Sequence, residues 1–539
     1  MNFRQYSNVT DIIMPKNIEL RNAFYSNAFK GLYDLCNVQL PNSSNLMYLA
    51  YAFDSCSSLT TASCPHNVAN MYFSYYNCTN LLKAACGDQV TQMYYAYGNC
   101  FSLTEAVCGR NVTNLSHTYD NCYNLKTAAC GPNVTNMAFA YQNCYNLITS
   151  ACGHNVVNMV NAYRNCRSIA KAACGNKVVS LHCAYFDCHN LTTAACGPDV
   201  VNMGSSYVNC FNLTKAACGN AVKNIAIAYK NCHNLTEAVC GPNVTNMYDS
   251  YANCYNLYIA ACGPNVIDMS NAYANCYNLH VAVCGPNVTN MRNTYCNCYN
   301  LIKPVCGPNV TDMGNTYQNC RNLTGPAVCG DKVTHMASAY KETNVTEAIC
   351  TDKITNMCAT YMYCNKIHTA VCGNNVKDMS HAYSFCNNLI EAVCGPNVTD
   401  MSYAYQYCSN LTTGVIGPRV TNIHSVYYNC PKLRTVEIPN SVTVIGNGAF
   451  YNCFSLEGDI IMPCNLTQIC NDAFKNCKSV NSYDFSHCTQ IPTLAANTFY
   501  GLARSVKMYV PEDLYDDWRT ANVWVNYSNY IVPTNRGGN

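Results

Sequence analysis

A cysteine preceded by asparagine, once by aspartate, recurs at Cys78, Cys100, Cys122, Cys144, Cys166, Cys188, Cys210, Cys232, Cys254, Cys276, Cys298 and Cys320, each 22 residues after the last. A period this regular argues against the three or four independent domains that 539 residues could hold. A unit of this length cannot bury a core alone, so the units must stack as a repeat solenoid. At a spacing of roughly 4.8 Å, about 23 coils would extend roughly 110 Å.

One unit, LKTAACGPNVTNMAFAYQNC from Leu125 to Cys144, shows what each coil must do. Its apolar type is fixed at Leu125, Ala128, Cys130, Val134, Met137, Ala140, Tyr141 and Cys144. The spacing of Leu125, Ala128 and Cys130 predicts a short strand with these side chains inward, ended by the following Gly-Pro turn. Val134, Met137, Ala140, Tyr141 and Cys144 step by three or four, which predicts one or two helical or 3₁₀ turns. Stacked units would join their strands into a leucine-rich-repeat-type parallel sheet, with the turns and loops on the convex side. The asparagines flanking the second cysteine, such as Asn121, Asn124, Asn143 and Asn146, are expected to satisfy backbone groups outside the sheet.

The expected organisation is one stack without a break from about residue 8 to 510. Residues 1–52 form N-terminal capping coils, with loose coils at Asn8 to Pro15 and Leu35 to Pro41. Residues 53–430 are the regular Cys/Tyr/Asn-rich repeats, 431–505 a variant repeat, and 506–539 a C-terminal cap. In the cap, Pro511 sits at the first turn of a short helix with Leu514 and Trp518 on one side. Trp518 and Trp524 there read either as a lid over the last coil or as a docking site. Inside the array, an insertion at Gly325-Pro326 is cancelled one coil later, where KETNV around Thr343 replaces the second cysteine.

The strings NVTNM, AY, NC and NL resemble the leucine-rich repeats of the BspA-like surface protein family. The text from Val436 to Leu456, VEIPNSVTVIGNGAFYNCFSL, is similar to that family's other repeat variant, with its IP turn and AF-x-x-C. The resemblance covers roughly residues 8 to 510 and implies attachment to a partner. The strand end departs from the family pattern, reading Ala-x-Cys-Gly here.

The chain has 42 cysteines, enough to raise the question of a disulfide framework. Ile416 and Ile438 occupy the first cysteine column elsewhere in the same chain, so the column reads as a place for small buried hydrophobes. Parallel Cα–Cβ vectors on adjacent coils also hold like cysteines apart at Cβ. Both columns are therefore expected to be buried, reduced thiols, and Cys210→Ser is expected to bury a poorly paired hydroxyl. No C-x-x-C pair is present and Cys296-x-Cys298 is the nearest approach, so no metal site is expected. Many reduced thiols suit a cytoplasm or an anaerobic setting.

No cofactor and no enzymatic activity are expected. The 12 histidines do not recur beside a fixed carboxylate or serine, and in a pair such as Cys188-His189 one side chain points in and the other out. A formal net charge of +2 creates no field for nucleic acid or an anionic membrane. No apolar run is long enough to cross a membrane, and no export signal is visible at the start. The NVT sequons arise from the repeat itself.

Function is thus expected on the surface. The strand-face column Lys83, Glu105, Thr127, Thr149, Lys171, Thr193, Lys215 and Glu237 is mixed in sign. Beside it Ala85, Val107, Ala129, Ala151, Ala173, Ala195 and Ala217 form a strip of small residues that either accepts a broad partner or only packs. The strongest candidate for binding follows each second cysteine: Phe101, Tyr123, Tyr145, Arg167, His189, Phe211, His233, Tyr255, Tyr277, Tyr299 and Arg321. Outside that span the position turns to Ser57, Thr79, Asn365, Asn387 and Ser409, so folding does not demand a ring there. The chain reads as a non-enzymatic, adhesin-like rod for a protein or carbohydrate ligand, on a cell surface or on a virion of the phage tail-fibre type. The alternative is a structural scaffold or spacer, with lateral self-association.

Overall fold

The computed structural model describes residues 8–14, 27–42 and 46–534, so the Pro15 end of the first expected coil and the last five residues of the cap lie outside it. The chain divides into two units, Met1–Leu279 and His280–Asn539. Each is a stack of coils joined by parallel pairing.

In the first unit, the strands Asp11–Ile13 and Asn37–Gln39 pair in parallel, and after them each coil contributes single bridging residues. One series runs Lys83, Glu105, Thr127 and a second Gln92, Asn114, Asn136, Asn158. The segment from Met137 to Cys144 makes a further ladder. The N–H groups of Met137, Phe139, Tyr141 and Asn143 donate to Asn158, Val160, Ala162 and Arg164 of the next coil. Those of Ala140, Gln142 and Cys144 instead donate three residues back, to Met137, Phe139 and Tyr141. The expected helical or 3₁₀ turns thus take the form of successive four-residue turns. Phe139 and Asn143, at φ 57° and 61°, are the third residues of the turns Met137–Ala140 and Tyr141–Cys144, where a left-handed backbone is needed. Asparagine adopts it at low cost, which explains the recurrent Asn-Cys pair.

A bridge of one residue leaves most of the short strand without a sheet partner, and the tyrosine supplies what is missing. The N–H of Ala129 donates to the hydroxyl of Tyr141 at 2.9 Å, and that hydroxyl donates to the carbonyl of Ala129. The same two-way contact joins Tyr97 to Ala85 and Tyr119 to Val107. The strip of small residues is therefore the row of backbone sites that the tyrosine column holds. The tyrosine rings are fully buried and stack between coils, for example Tyr119 on Tyr141 at 5.3 Å and 9°.

The core also contains Leu125, Val134, Met137, Ala140 and Cys144, all with no exposed surface. Two expectations need correction. First, Ala128 and the first cysteine column are only half-buried, because that column lies where consecutive coils approach through backbone rather than side chains. A Cβ on Gly131 would stand 2.7 Å from the carbonyl oxygen of Gly109, and the Gly131 N–H donates to Cys108 Sγ at 3.0 Å. Second, in the first unit the asparagines before the second cysteine bond each other, and the expected backbone contacts from the flanking asparagines appear in the second unit, where Asn388 Nδ2 donates to the Asn365 carbonyl at 2.7 Å. Asn121 Nδ2 donates to Asn99 Oδ1 and Asn143 Nδ2 to Asn121 Oδ1, both at 2.7 Å. Backbone satisfaction falls to the NVTN asparagines: Asn133 Nδ2 donates to the Arg110 carbonyl at 3.0 Å, and Asn136 Oδ1 accepts from the Ala138 N–H at 3.0 Å.

The second unit begins with the same coil and ends with a different one. Tyr317 holds Val305 as Tyr141 holds Ala129. The insertion at Gly325, φ 85°, gives a strand Thr324–Pro326 paired with Asn344–Glu347 through a register shift. From Thr413 onward strands recur in successive coils, first Thr413–Val415 with Thr435–Glu437, then a four-stranded sheet from Gly458–Ile461, Val480–Asp484, Lys507–Pro511 and Ile531–Thr534. In the cap, Glu512–Leu514 is a 3₁₀ turn and Tyr515–Thr520 a short helix. Trp518 and Trp524 are buried edge to face, 5.4 Å apart, and Trp524 Nε1 donates to the Pro492 carbonyl at 2.8 Å. Their rings close over Phe485 and Phe499, as a lid does.

Candidate functional site: the aromatic columns

The residue after each buried second cysteine leaves the core on the next turn. In the first unit, Phe101 stacks on Tyr123 at 4.8 Å and Tyr123 on Tyr145 at 5.0 Å, and Arg167 lies 5.2 Å over the Tyr145 ring. The stack resumes at His189, with Phe211, His233, Tyr255 and Tyr277 at successive separations of 4.7, 5.0, 4.5 and 4.9 Å. In the second unit, Arg321 lies 5.9 Å over Tyr299. Most of these side chains are half-buried, while Arg167, Tyr277, Tyr299 and Arg321 are exposed.

Packing at these separations spends the ring faces on neighbouring rings and leaves edges and hydroxyls for solvent. Burial between neighbours lowers the pKa of His233, and burial together with the Arg167 charge lowers that of His189. Burial also raises the pKa of Tyr123. At neutral pH Tyr123, His189 and His233 are thus neutral members of the first unit's column, beside the Arg167 guanidinium.

Sequence reasoning missed two further aromatic columns. Tyr51, Phe73, Tyr95, His117 and Phe139, all left-handed residues two before the core aromatic, stack at 4.3 to 4.9 Å. Tyr72 and Tyr94 stand edge-on beside them. The doubled aromatics of MYFSYY and MYYAYG carry the sequence signal for them. In the second unit, Tyr363, Phe385 and Tyr407 stack at 4.4 and 4.5 Å in the place immediately before the second cysteine, where earlier coils carry asparagine. The aromatic row therefore changes sides of the cysteine near Thr343.

Among the described residues, no group of three or more His, Cys, Asp or Glu is placed to hold a metal ion, and no helix is long and apolar enough to cross a membrane. Nor do Cys188 and His189 form a nucleophile and base. Cys188 is buried with its thiol pKa pushed up, and His189 faces the ring stack.

The family model described as a BspA type leucine rich repeat region (6 copies) matches residues 2–126, 116–228, 205–324, 336–427 and 421–516. No curated protein matches the sequence. Among solved structures the chain is similar to a leucine-rich repeat protein from Bacteroides ovatus, at 16% identity over 82% of this chain and 86% of that one, with a TM-score of 0.28. It is also similar to a leucine rich cell surface protein from Faecalibacterium prausnitzii, at 16% identity over 74% and 83% of the two chains, with a TM-score of 0.22. With repeats matching that family along most of its length, the chain belongs to the BspA-type leucine-rich repeat family.

Proposed function

We propose that the protein is a non-enzymatic, adhesin-like binding protein at a cell surface, and that the column residues, Phe101 to Tyr277 in the first unit and Tyr299 and Arg321 in the second, meet a protein partner. The supporting observation is that this column carries rings, imidazoles and guanidinium groups where the fold accepts Ser57, Thr79, Asn365, Asn387 or Ser409. Stacking removes the faces on which a sugar would lie, so ring edges, hydroxyls and the arginines are what a partner would touch. Tyrosine and arginine in such rows are the side chains that dominate protein interfaces.

The same stacking favours a second reading, in which the column only stiffens a scaffold. The triple change Tyr255→Ser, Tyr277→Ser and Tyr299→Ser separates the two on a protein and glycan array. Under the binding reading array signals fall while the melting temperature barely moves. Unchanged signals with a large loss of stability make the column structural.

A further inference from the structure

The coil from Cys329 to Cys350 is one residue short, and the missing residue is the one that would continue the column. Tyr317, Gln318, Asn319, Cys320, Arg321, Asn322 and Leu323 in one coil answer to Tyr340, Lys341, Glu342, Thr343, Asn344 and Val345 in the next, so Arg321 has no successor. A cavity of about 400 Å³ occupies that place, lined by Arg321, Glu342, Thr343, Asn344 and Tyr363. Its volume lies within the roughly 300–1,000 Å³ of small-ligand sites.

The walls are fixed by the fold. In regular coils the carbonyl of the column residue accepts a backbone N–H from the next coil, as Tyr123 does from Asn146. Here the Asn344 side chain replaces it, Nδ2 donating to the Arg321 carbonyl at 2.6 Å. Thr343, buried in the cysteine position, donates to the Tyr340 carbonyl at 2.8 Å. Glu342 takes the left-handed asparagine position at φ 57° and holds Arg321 Nη2 at 3.2 Å. Tyr363 begins the second stack, with Phe385 on one face; on the other side the column position is Glu342, not a ring.

We infer that this notch binds a neutral saccharide. One face of Tyr363 offers a platform for the C–H face of a pyranose, which the closed column does not offer. Beside it Glu342 accepts and Arg321 donates, the pairing that grips two adjacent hydroxyl groups. The two charges cancel, so nothing selects an anion, and a single carboxylate does not recruit a metal. Of the residues proposed to meet a protein partner, Arg321 alone lines this site.

Saturation-transfer NMR with glucose, galactose, mannose and N-acetylglucosamine at millimolar concentration tests the inference. The full chain should pass magnetisation to the ring C–H protons of at least one sugar, and Tyr363→Ala should abolish the transfer. Glu342→Gln keeps the shape and should weaken binding about tenfold, the loss of one charge-assisted hydrogen bond. The double change Tyr123→Ser and Tyr145→Ser should leave sugar binding intact, so failure of the protein-partner reading would not remove this site. No transfer to any of the four sugars overturns the inference, as does transfer undiminished by Tyr363→Ala in a folded variant. Equal or tighter binding of glucuronate overturns the neutral-sugar class.

Discussion

The coils around Tyr141 and those around Phe474 meet one requirement by different chemistry. A short strand in a stacked coil must pair its backbone, because an unpaired buried amide or carbonyl is costly. In the regular coils a buried tyrosine hydroxyl serves both groups of one strand residue, as at Ala129. In the C-terminal coils the core aromatic is Phe450, Phe474 or Phe499, stacked in the same way at 5.1 and 5.5 Å, with no hydroxyl to offer. There the strands pair with one another instead, the Met462 N–H donating to Asp484 at 2.8 Å and the Phe485 N–H to Tyr509 at 2.7 Å. Pro439 in the IP turn has no N–H to satisfy. The first column changes one coil earlier, from half-buried cysteine to Ile416 in the coil of Tyr427, then to Ile438 and Met462, all buried. The two devices overlap at Val415, whose N–H and carbonyl are both held by the Tyr427 hydroxyl at 2.7 Å while its strand Thr413–Val415 pairs with Thr435–Glu437, so the ladder arrives before the hydroxyl is lost.

Exchanging the aromatic across the two regions should give the largest effect. Tyr141→Phe, Tyr163→Phe and Tyr185→Phe strip the partner from Ala129, Ala151 and Ala173 and should each cost about 1–3 kcal/mol. In a repeat stack the loss stays local, so amide exchange at those three alanines should quicken while distant coils keep their protection. The reverse changes Phe450→Tyr and Phe474→Tyr should also destabilise, by about 1–3 kcal/mol, because they bury a hydroxyl where the backbone is already paired. Unaltered protection at Ala151 would break the comparison. A stabilising Phe474→Tyr would show that the longer ladder of the C-terminal coils leaves room for both devices, as the coil at Val415 does.

Much of this was legible in the sequence, and the failures share one cause. The 22-residue period, the stacked parallel coils and the BspA-type identity follow from repetition and apolar spacing, which survive averaging over many copies. Hydrogen-bond direction does not. The spacing of Leu125, Ala128 and Cys130 predicts a strand with all three side chains inward, but the structure has a single bridge at Thr127, and Ala128 and Cys130 are half-buried beside the close backbone approach at Gly131. The recurrence of asparagine at the Asn143 position is plain in the sequence, yet only a left-handed φ explains why asparagine is chosen, and the bond of its side chain to Asn121 needs the stack. The column after the second cysteine could be read from spacing, whereas its mutual stacking needed the separation between coils. The change of aromatic side at Thr343 was visible as a deletion, but the notch it opens was not.

Alkaline pH should sharpen the comparison with an intermediate effect. Burial raises the thiol pKa of Cys108 to about 12, and that of Cys64 likewise, while the buried tyrosines are raised well above their usual value. A group raised in the folded state contributes stability that is complete below the unfolded pKa, 9.0 for these thiols, and is lost as pH rises toward the folded value. The unfolded chain gives up its protons first, so the melting temperature should fall from about pH 9 upward. The regular coils carry two cysteines and a tyrosine apiece, and should open to proteolysis before the C-terminal coils with Ile, Met and Phe. Thiol labelling at pH 8 should reach the half-buried first column ahead of the buried second. Simultaneous opening of both regions at high pH would remove the distinction, and equal labelling of the two columns would contradict their burial.

The smallest effect belongs to what the two regions share. The second cysteine column runs through both, and its thiols donate to the same backbone acceptor: Cys210 to the Tyr185 carbonyl and Cys453 to the Tyr427 carbonyl, each at 3.2 Å. The sequence alone suggested that a serine here would bury a poorly paired hydroxyl, and the structure corrects that by supplying the acceptor. Thr343 already fills the cysteine position with its hydroxyl bonded to the Tyr340 carbonyl. Cys210→Ser and Cys453→Ser should therefore each cost only about 1 kcal/mol or less, since a hydrogen bond replaces a hydrogen bond. Cys210→Ala removes the donor and some contact and should cost about 1–2 kcal/mol. Thermal unfolding of the three variants checks the order. A serine costlier than alanine would mean that the column is held by sulfur packing rather than by its hydrogen bond, in both regions alike.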